Sequence, residues 1–408
     1  MTPSRSGDSI GADAPLHIAM IGTRGVPAAY GGFETAIEEI GRRLVERGHS
    51  VTVYCRSQDG EKPAEHLGMS LVHLPALHVK VAETLSHTGL STLHAMTHRA
   101  PDAAFVFNAA NAPFVPLLRA RGIPTAVHVD GLEWKRDKWG GAGKRYYRAA
   151  ESAAVRWSDA LIADAKGIAD YYDAEFGVPT ELISYGATII DEPTSGKIAE
   201  LGLTPGGFHL VVARFEPENH VREIVEGYSA SGATLPLVVV GSAPYSAEYT
   251  TAIQAVAARD ERVRLLGGVW DQDLLDELYA GALTYVHGHS VGGTNPSLLR
   301  AIGAGTAVLA WDVDFNREVT LENGRYFGSA AALAPLLEAA ESDITGTLSI
   351  GDRLREHAAS TYDWDLVTTG YEALAARLAG GYSIRPLAKA ARRSSSAPEG
   401  TPVASPVA

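Results

Sequence analysis

Two glycine-rich segments, far apart in the chain, could each bring main-chain N–H groups up to a phosphate. Gly22, Gly25, Gly31 and Gly32 lie between the apolar run LHIAMIG (16–22) and a helical pattern that opens at Phe33. Glycine lets the backbone approach a ligand closely, and a helix N-terminus favours negative charge. The spacing is not GxGxxG, so glycine required for turn geometry alone is the competing reading. The second segment is GHSVGGTNPSLLR (Gly288–Arg300), just after an apolar run ending at Val286. Asn295 suits an N-cap and Pro296 the first helical position, with His289, Gly293 and Thr294 directly ahead. The helix opening at Ser297 should therefore offer unpaired N–H groups to a diphosphate; an ordinary capped helix start is the alternative.

Three further groups stand at the ends of short apolar runs. Arg214 begins RFEPEN, with Glu218 and Asn219 behind it. Its guanidinium fork could neutralise a phosphate, or could simply form a surface ion pair. His128, Asp130 and Glu133 offer an imidazole and two carboxylates, a set suited to proton transfer or to gripping hydroxyls. Beyond them KRDKWGGAGKRYYR (135–148) is basic and aromatic in an acidic chain. Such a stretch suits an anionic membrane surface or a phosphate-bearing acceptor, and a solvated helix face competes with both.

The runs that place these groups alternate with helical patterns. Residues 16–22, 50–55, 103–107, 125–129 and 160–163 read as buried parallel strands, and 193–205 as a connection. A second series follows at 208–213, 235–240, 263–266, 283–286 and 307–310. The fold class is therefore α/β, with two doubly wound domains facing each other across a cleft. Expected boundaries are 15–190 for an N-terminal acceptor domain and 191–362 for a C-terminal donor domain. A helix at 363–382 should pack back toward the first domain, and 383–408, rich in Ser, Pro and Ala, reads as a disordered tail.

Composition narrows the class. The 408 residues suit two to three domains at roughly 150 residues each. The charge balance, 35 − 48 = −13, speaks against nucleic acid as a partner. Cys55 stands alone, which excludes an internal disulfide and a cysteine-built metal site. No apolar run reaches the ~18 residues of a membrane span, and the first 14 residues lack the apolar core of a signal peptide. The expected location is the cytoplasm, with attachment to the inner face of the cell membrane through 135–148.

IGTRGVPAAYGGFET, VDGLEWKRDKWG, VARFEPEN and HGHSVGGTNPSLL together resemble retaining, family-4-like glycosyltransferases of the GT-B fold, over about residues 16–380. The similarity is greatest to the rhamnosyltransferase-like subgroup of bacterial cell-surface polysaccharide synthesis. It implies two Rossmann-like domains and a metal-independent reaction with no resident cofactor. The co-substrate would be a nucleotide sugar, with dTDP-L-rhamnose the expected donor. Donor contacts would come from Gly31, Gly32, Arg214, Glu218, Asn219, His289, Gly293, Thr294, Asn295, Pro296 and Ser297. His128, Asp130 and Arg214 would be catalytic, and Glu133, Trp134, Lys135 and Arg136 would meet a saccharide or lipid-diphosphate-linked saccharide.

Two departures from the wider superfamily stand out. Gly292 and Arg300 occupy the places of a glutamate pair, and Asn219 that of a lysine. Arg300 reverses charge where ribose hydroxyls need an acceptor; Glu318 or Glu322 could take over. A catalytically silent scaffold in a polysaccharide complex, and a sugar-nucleotide epimerase or hydrolase, are the competing functions.

Overall fold

The computed structural model describes residues 14–28, 32–57, 62–77, 82–129, 131–135, 139–191, 193–242, 246–321 and 323–395. The first half builds a sheet from β1 (His17–Ile21), β2 (Ser50–Arg56), β3 (Glu65–His66), β4 (Met69–Leu74), β5 (Ala103–Phe107), β6 (Thr125–His128), β7 (Ala160–Ala163) and β8 (Glu181–Leu182). Their order across the sheet is β3-β4-β2-β1-β5-β6-β7-β8, parallel except for the β3–β4 hairpin. The second half builds β9 (His209–Val212), β10 (Leu237–Val240), β11 (Val263–Gly267), β12 (Thr284–His287), β13 (Ala307–Trp311) and β14 (Arg325–Phe327). These are all parallel, in the order β11-β10-β9-β12-β13-β14. Strands such as β5, β6 and β7 are buried at every residue because helices cover both faces, which is why they read as unbroken apolar runs rather than alternating ones.

The helices that bear on function are α1 (Gly32–Glu46), α2 (Glu83–Thr97), α3 (Val115–Ala120), α4 (Gly141–Trp157), α5 (Lys166–Phe176), α6 (Gln272–Gly281), α7 (Pro296–Gly303), α8 (Trp364–Ala379) and α9 (Arg385–Ser395). α1 lays Ala36, Ile37, Ile40 and Leu44 on the first sheet, the one-sided spacing of an amphipathic helix. α8 follows the helices of the second half yet packs on the first. Arg47 and His49 hold Glu372 at 2.7 and 2.8 Å, and Tyr371 meets Phe105 edge-on at 5.0 Å.

The chain passes between the halves at 183–195 and again near 362–364, and the two passages touch. Ala187 N–H donates to Tyr362 O at 2.7 Å, and Gly186 packs against the Trp364 indole.

The expected disordered tail at 383–408 begins instead with a helix. Residues 385–395 are α9, not coil; Ile384 and Ala388 are buried, and Ile384 N–H donates to Asp159 O at 2.8 Å. The Ser/Pro-rich average over 383–408 hid a local run of Leu, Ala, Lys and Arg, all strong helix formers. Residues 396–408 lie outside the described residues. The β3–β4 hairpin and the helices Ala330–Ser342 and Ile344–Thr361 are further elements that the expectations from sequence do not include.

Candidate active site

In an open parallel sheet, the strand order reverses at one point, and loops leaving there diverge to form a crevice at the carboxyl ends. The first sheet reverses between β1 and β5 and the second between β9 and β12. From the first point come Gly22–Arg24 and Asn108; from the second come Arg214, Gly288 and His289. The two crevices face each other. Thr294 Oγ1 donates to Asp164 O at 2.7 Å, and Lys166 N–H donates to Glu318 Oε1 at 2.7 Å, both across the cleft. Gly293 lies against the Asp164 carboxylate, and a Cβ on Gly32 would run into Pro296. A side chain on Gly32 would have to displace the proline ring, and one on Gly293 the Asp164 carboxylate.

On the second-domain side, Asn219 joins the two loops at the reversal point. Its Nδ2 donates to Arg214 O at 2.8 Å, which leaves its Oδ1 to accept from His289 Nδ1 at 2.7 Å. That assigns the ring proton of His289 to Nδ1 and leaves Nε2 the acceptor nitrogen. Ser290 bonds Glu218 O through its N–H (3.0 Å) and its hydroxyl (3.1 Å), so Glu218 belongs to the same frame. The Arg214 guanidinium lies 3.2 Å from the buried Glu216 carboxylate and keeps 36% of its side chain exposed.

The start of α7 offers less than the sequence suggested. Asn295 caps it as expected, and in doing so Oδ1 accepts the Ser297 N–H at 2.9 Å. Pro296 has no N–H, and Leu299 N–H already donates to Asn295 O at 3.0 Å. Among the described residues no acceptor takes the Leu298 N–H, which leaves it for an anion along with the positive end of the helix dipole. The Thr294 hydroxyl is likewise committed, to Asp164.

Arg300 is accounted for by α6. Its Nε and NH2 donate to Asp276 Oδ1 at 2.9 and 2.7 Å, and NH1 donates to Gln272 at 2.9 Å. Glu318 is occupied in turn, accepting the first N–H of α5, so it is not a spare carboxylate for a ribose; Glu322 lies outside the described residues.

On the first-domain side, His128 ends β6 inside an aromatic box. Phe33 meets it edge-on at 5.4 Å, and Phe107 and Tyr185 stack on it at 5.6 and 5.7 Å. Burial pushes its pKa down to about 3, so the ring is neutral at ordinary pH and works as a hydrogen-bonding group rather than an acid. Asp130, Gly31 and Arg136 lie outside the described residues. Glu133 is buried and accepts from Trp139 Nε1 at 3.2 Å.

The aromatic residues of 135–148 are half-buried or exposed, and each is tied to a neighbour. Trp139 packs on Tyr147 at 5.0 Å, and Tyr146 donates to Ala110 O at 2.8 Å. The Trp134 ring carries Arg148 at 4.9 Å and Lys135 at 5.5 Å. Arg148 itself joins Glu175 at 2.6 Å and reaches Tyr171 and the buried Glu151. Burial raises the Glu151 carboxyl to about 7.

Asp164 and Tyr185 were missed from sequence. Asp164 follows β7 directly, so the strand-end rule that singled out His128 and Arg214 applies to it equally. Tyr185 carries no such signal, because it reaches the site from the connection between domains. Among the described residues, no three His, Cys, Asp or Glu side chains are grouped to hold a metal ion.

Residues 16–188 match the family model described as a domain of unknown function, DUF1972. No curated protein matches the chain. Solved structures match along its length at low identity. Sucrose-phosphate synthase from Thermosynechococcus elongatus is 20% identical with a TM-score of 0.78, over 89% of this chain and 99% of that one. Anabaena HepE in complex with UDP-glucose is 16% identical with a TM-score of 0.72, over 88% and 99%. The catalytic domain of Arabidopsis thaliana starch synthase IV, bound to ADP and acarbose, is 13% identical with a TM-score of 0.69, over 90% and 100%. The fold is GT-B.

Proposed function

We propose that this cleft transfers a glycosyl group from a nucleotide-diphosphate sugar to a hydroxyl of a saccharide or lipid-diphosphate-linked saccharide. One observation carries the reading. Arg214 and the Leu298 N–H stand at the reversal point of the second sheet, and the neutral His128 box stands at the end of the first sheet opposite them. Charge developing on the leaving diphosphate would meet the guanidinium and the α7 dipole, fixed in place before the reaction begins. His128 would hold a sugar hydroxyl by a hydrogen bond. The acceptor proton would leave late, to the departing phosphate, which permits attack on the same face and retention.

Closure through Thr294 and Glu318 would exclude water that otherwise hydrolyses the donor. The UDP-glucose in HepE and the ADP in the starch synthase support a nucleotide-diphosphate donor. Within that class dTDP-L-rhamnose, used for cell-surface polysaccharide, is the sugar we favour. The nucleotide sugar is a co-substrate, and no resident cofactor enters the scheme.

A thermal-shift panel of dTDP-rhamnose, UDP-glucose, UDP-GlcNAc, GDP-mannose and the free nucleotides tests this. A ligand at a hundred times its dissociation constant stabilises by ~2.7 kcal/mol. A shift with one nucleotide sugar, lost in Arg214→Ala, supports the transferase. No shift with any of them would leave a silent scaffold as the better reading.

A further inference from the structure

The flank of the first domain built by α2 and α3 is inverted relative to an ordinary surface helix. The buried side of α2 is polar, formed by His87, Thr88, Ser91 and Thr92, while Leu90 and Leu93 are 39% and 56% exposed. α3 runs beside α2 in the same direction: Gly89 lies against Phe114 at one end, and Arg121 Nε donates to Met96 O at 3.0 Å at the other. That pairing sets the exposed Leu117 level with Leu93. The exposed Leu77 continues the line, its N–H donating to Ser86 Oγ at 3.0 Å. Leu77 lies just past the carboxyl end of β4, the end at which the cleft opens.

Charge on this flank departs from the rest of the molecule. Asp102 is the single acid between Thr84 and Val129 in a chain holding 48, and it accepts the His17 N–H at 2.9 Å. Arg99 and Arg121 follow the C-terminal ends of α2 and α3, and Arg119 sits in the last turn of α3. α9 adds Arg385, Lys389 and Arg392 without an acid, and the exposed Leu387. A concavity of about 500 Å³ between α3 and α9 has Arg119 and Arg385 in its wall. Arg385 pairs with Asp159 at 2.8 Å, whereas Arg99, Arg119 and Lys389 make no ion pair among the described residues. Basic groups at helix C-termini are explained by the helix dipole alone. Leucines exposed on the same flank are not.

We infer that this flank docks on an anionic lipid bilayer, with the leucines of α2 and α3 in the interface and the basic end on lipid phosphates. The line of leucines leads from the basic end to the rim, so docking sets the cleft mouth at the bilayer surface. In the stretch 135–148 Trp139 packs on Tyr147 and the Tyr146 hydroxyl is held by Ala110 O, so we assign the contact to the α2–α3 flank instead. The inference stands whatever reaction the cleft performs.

The full chain is sedimented with phosphatidylglycerol/phosphatidylcholine vesicles and with phosphatidylcholine vesicles alone. Binding should favour the anionic vesicles by about tenfold and weaken as salt rises from about 0.1 to 0.5 M. Leu90→Asn with Leu93→Asn, and separately Arg99→Gln, Arg119→Gln and Lys389→Gln combined, should each cut binding about tenfold. Melting temperature and its shift with nucleotide should stay at wild-type values. Lys135→Gln, Lys144→Gln and Arg145→Gln combined should bind as wild type. Equal binding to both vesicle types, or flank variants that bind undiminished, overturns the inference. So does a dimer that dissolves in the leucine variant while vesicles go unbound, which would make the occupant a second copy of the chain.

Discussion

The Thr294 hydroxyl, on the second domain, donates to the main-chain carbonyl of Asp164 on the first at 2.7 Å, with both residues buried. Thr294→Val keeps the shape and removes the donor, costing the closed arrangement about 1–3 kcal/mol. Small-angle scattering should show a larger radius of gyration for the ligand-free variant than for wild type, reversed by saturating nucleotide. Identical profiles would mean that this bond plays no part in closure.

Gly32 and Pro296 begin α1 and α7 on opposite sides of the cleft, and a methyl group on Gly32 would strike the proline ring. Gly32→Ala should therefore fold normally and close badly. Donor affinity measured by calorimetry should fall about tenfold, ~1.4 kcal/mol, with the ligand-free melting curve little changed. Unchanged affinity would show that the two helix starts have room to part.

Two arginines near α7 should separate cleanly. Arg214→Ala removes a charged donor from the anion end of the cleft and should weaken nucleotide diphosphate binding by about 1.5–3 kcal/mol. Arg300 is bonded to Asp276 and Gln272 on α6. Its alanine variant should leave nucleotide affinity near wild type and cost stability of about 1 kcal/mol or less. Equal losses of affinity would place Arg300 in the site after all.

Acid should unfold the protein partly through its buried histidines. Burial lowers His128 and His287 to about 3 and His87 to about 4. In the unfolded chain they titrate near ~6.5, so between those values the unfolded state binds more protons. Stability is therefore lost as pH falls below about 6.5. His128→Asn should narrow the difference in melting temperature between pH 7 and pH 4.5; the full wild-type difference in the variant would count against a buried neutral ring.

Glu151 works in the other direction. Burial lifts its carboxyl to about 7, so from the ordinary carboxylate range up to there the folded state holds the extra proton, and stability falls as pH rises. Glu151→Gln should gain melting temperature relative to wild type at pH 8 and gain little at pH 5. A pH-independent difference would show that the Arg148 pair outweighs burial.

What the sequence made legible was local. Strands β5 and β7 can be read residue for residue, since buried parallel strands are unbroken apolar runs between turns. The cap at Asn295 and the proline behind it follow from chemistry within two residues. Partners supplied from afar were out of reach. Thr294 meets a carbonyl 130 residues away, Glu318 an N–H 152 away, and Arg300 a carboxylate on a neighbouring helix. Each turned a side chain that sequence alone set against a ligand, or in place of one, into part of the frame. The seating of Trp139 on Tyr147 and of the Tyr146 hydroxyl on Ala110 O is of the same kind: helix α4 is legible in the sequence, the contacts it makes are not.

The two side-by-side passages of the chain between its halves, bonded from Ala187 to Tyr362, act like a door hung on two pins. The halves can swing about that line, but swivelling about the chain would tear one pin from the other. The same arrangement makes the halves poor independent products. A cut near 190 leaves the first piece without α8, and with it the partners of Arg47, His49 and Phe105. Such pieces would regain a complete surface only by complementing each other in trans.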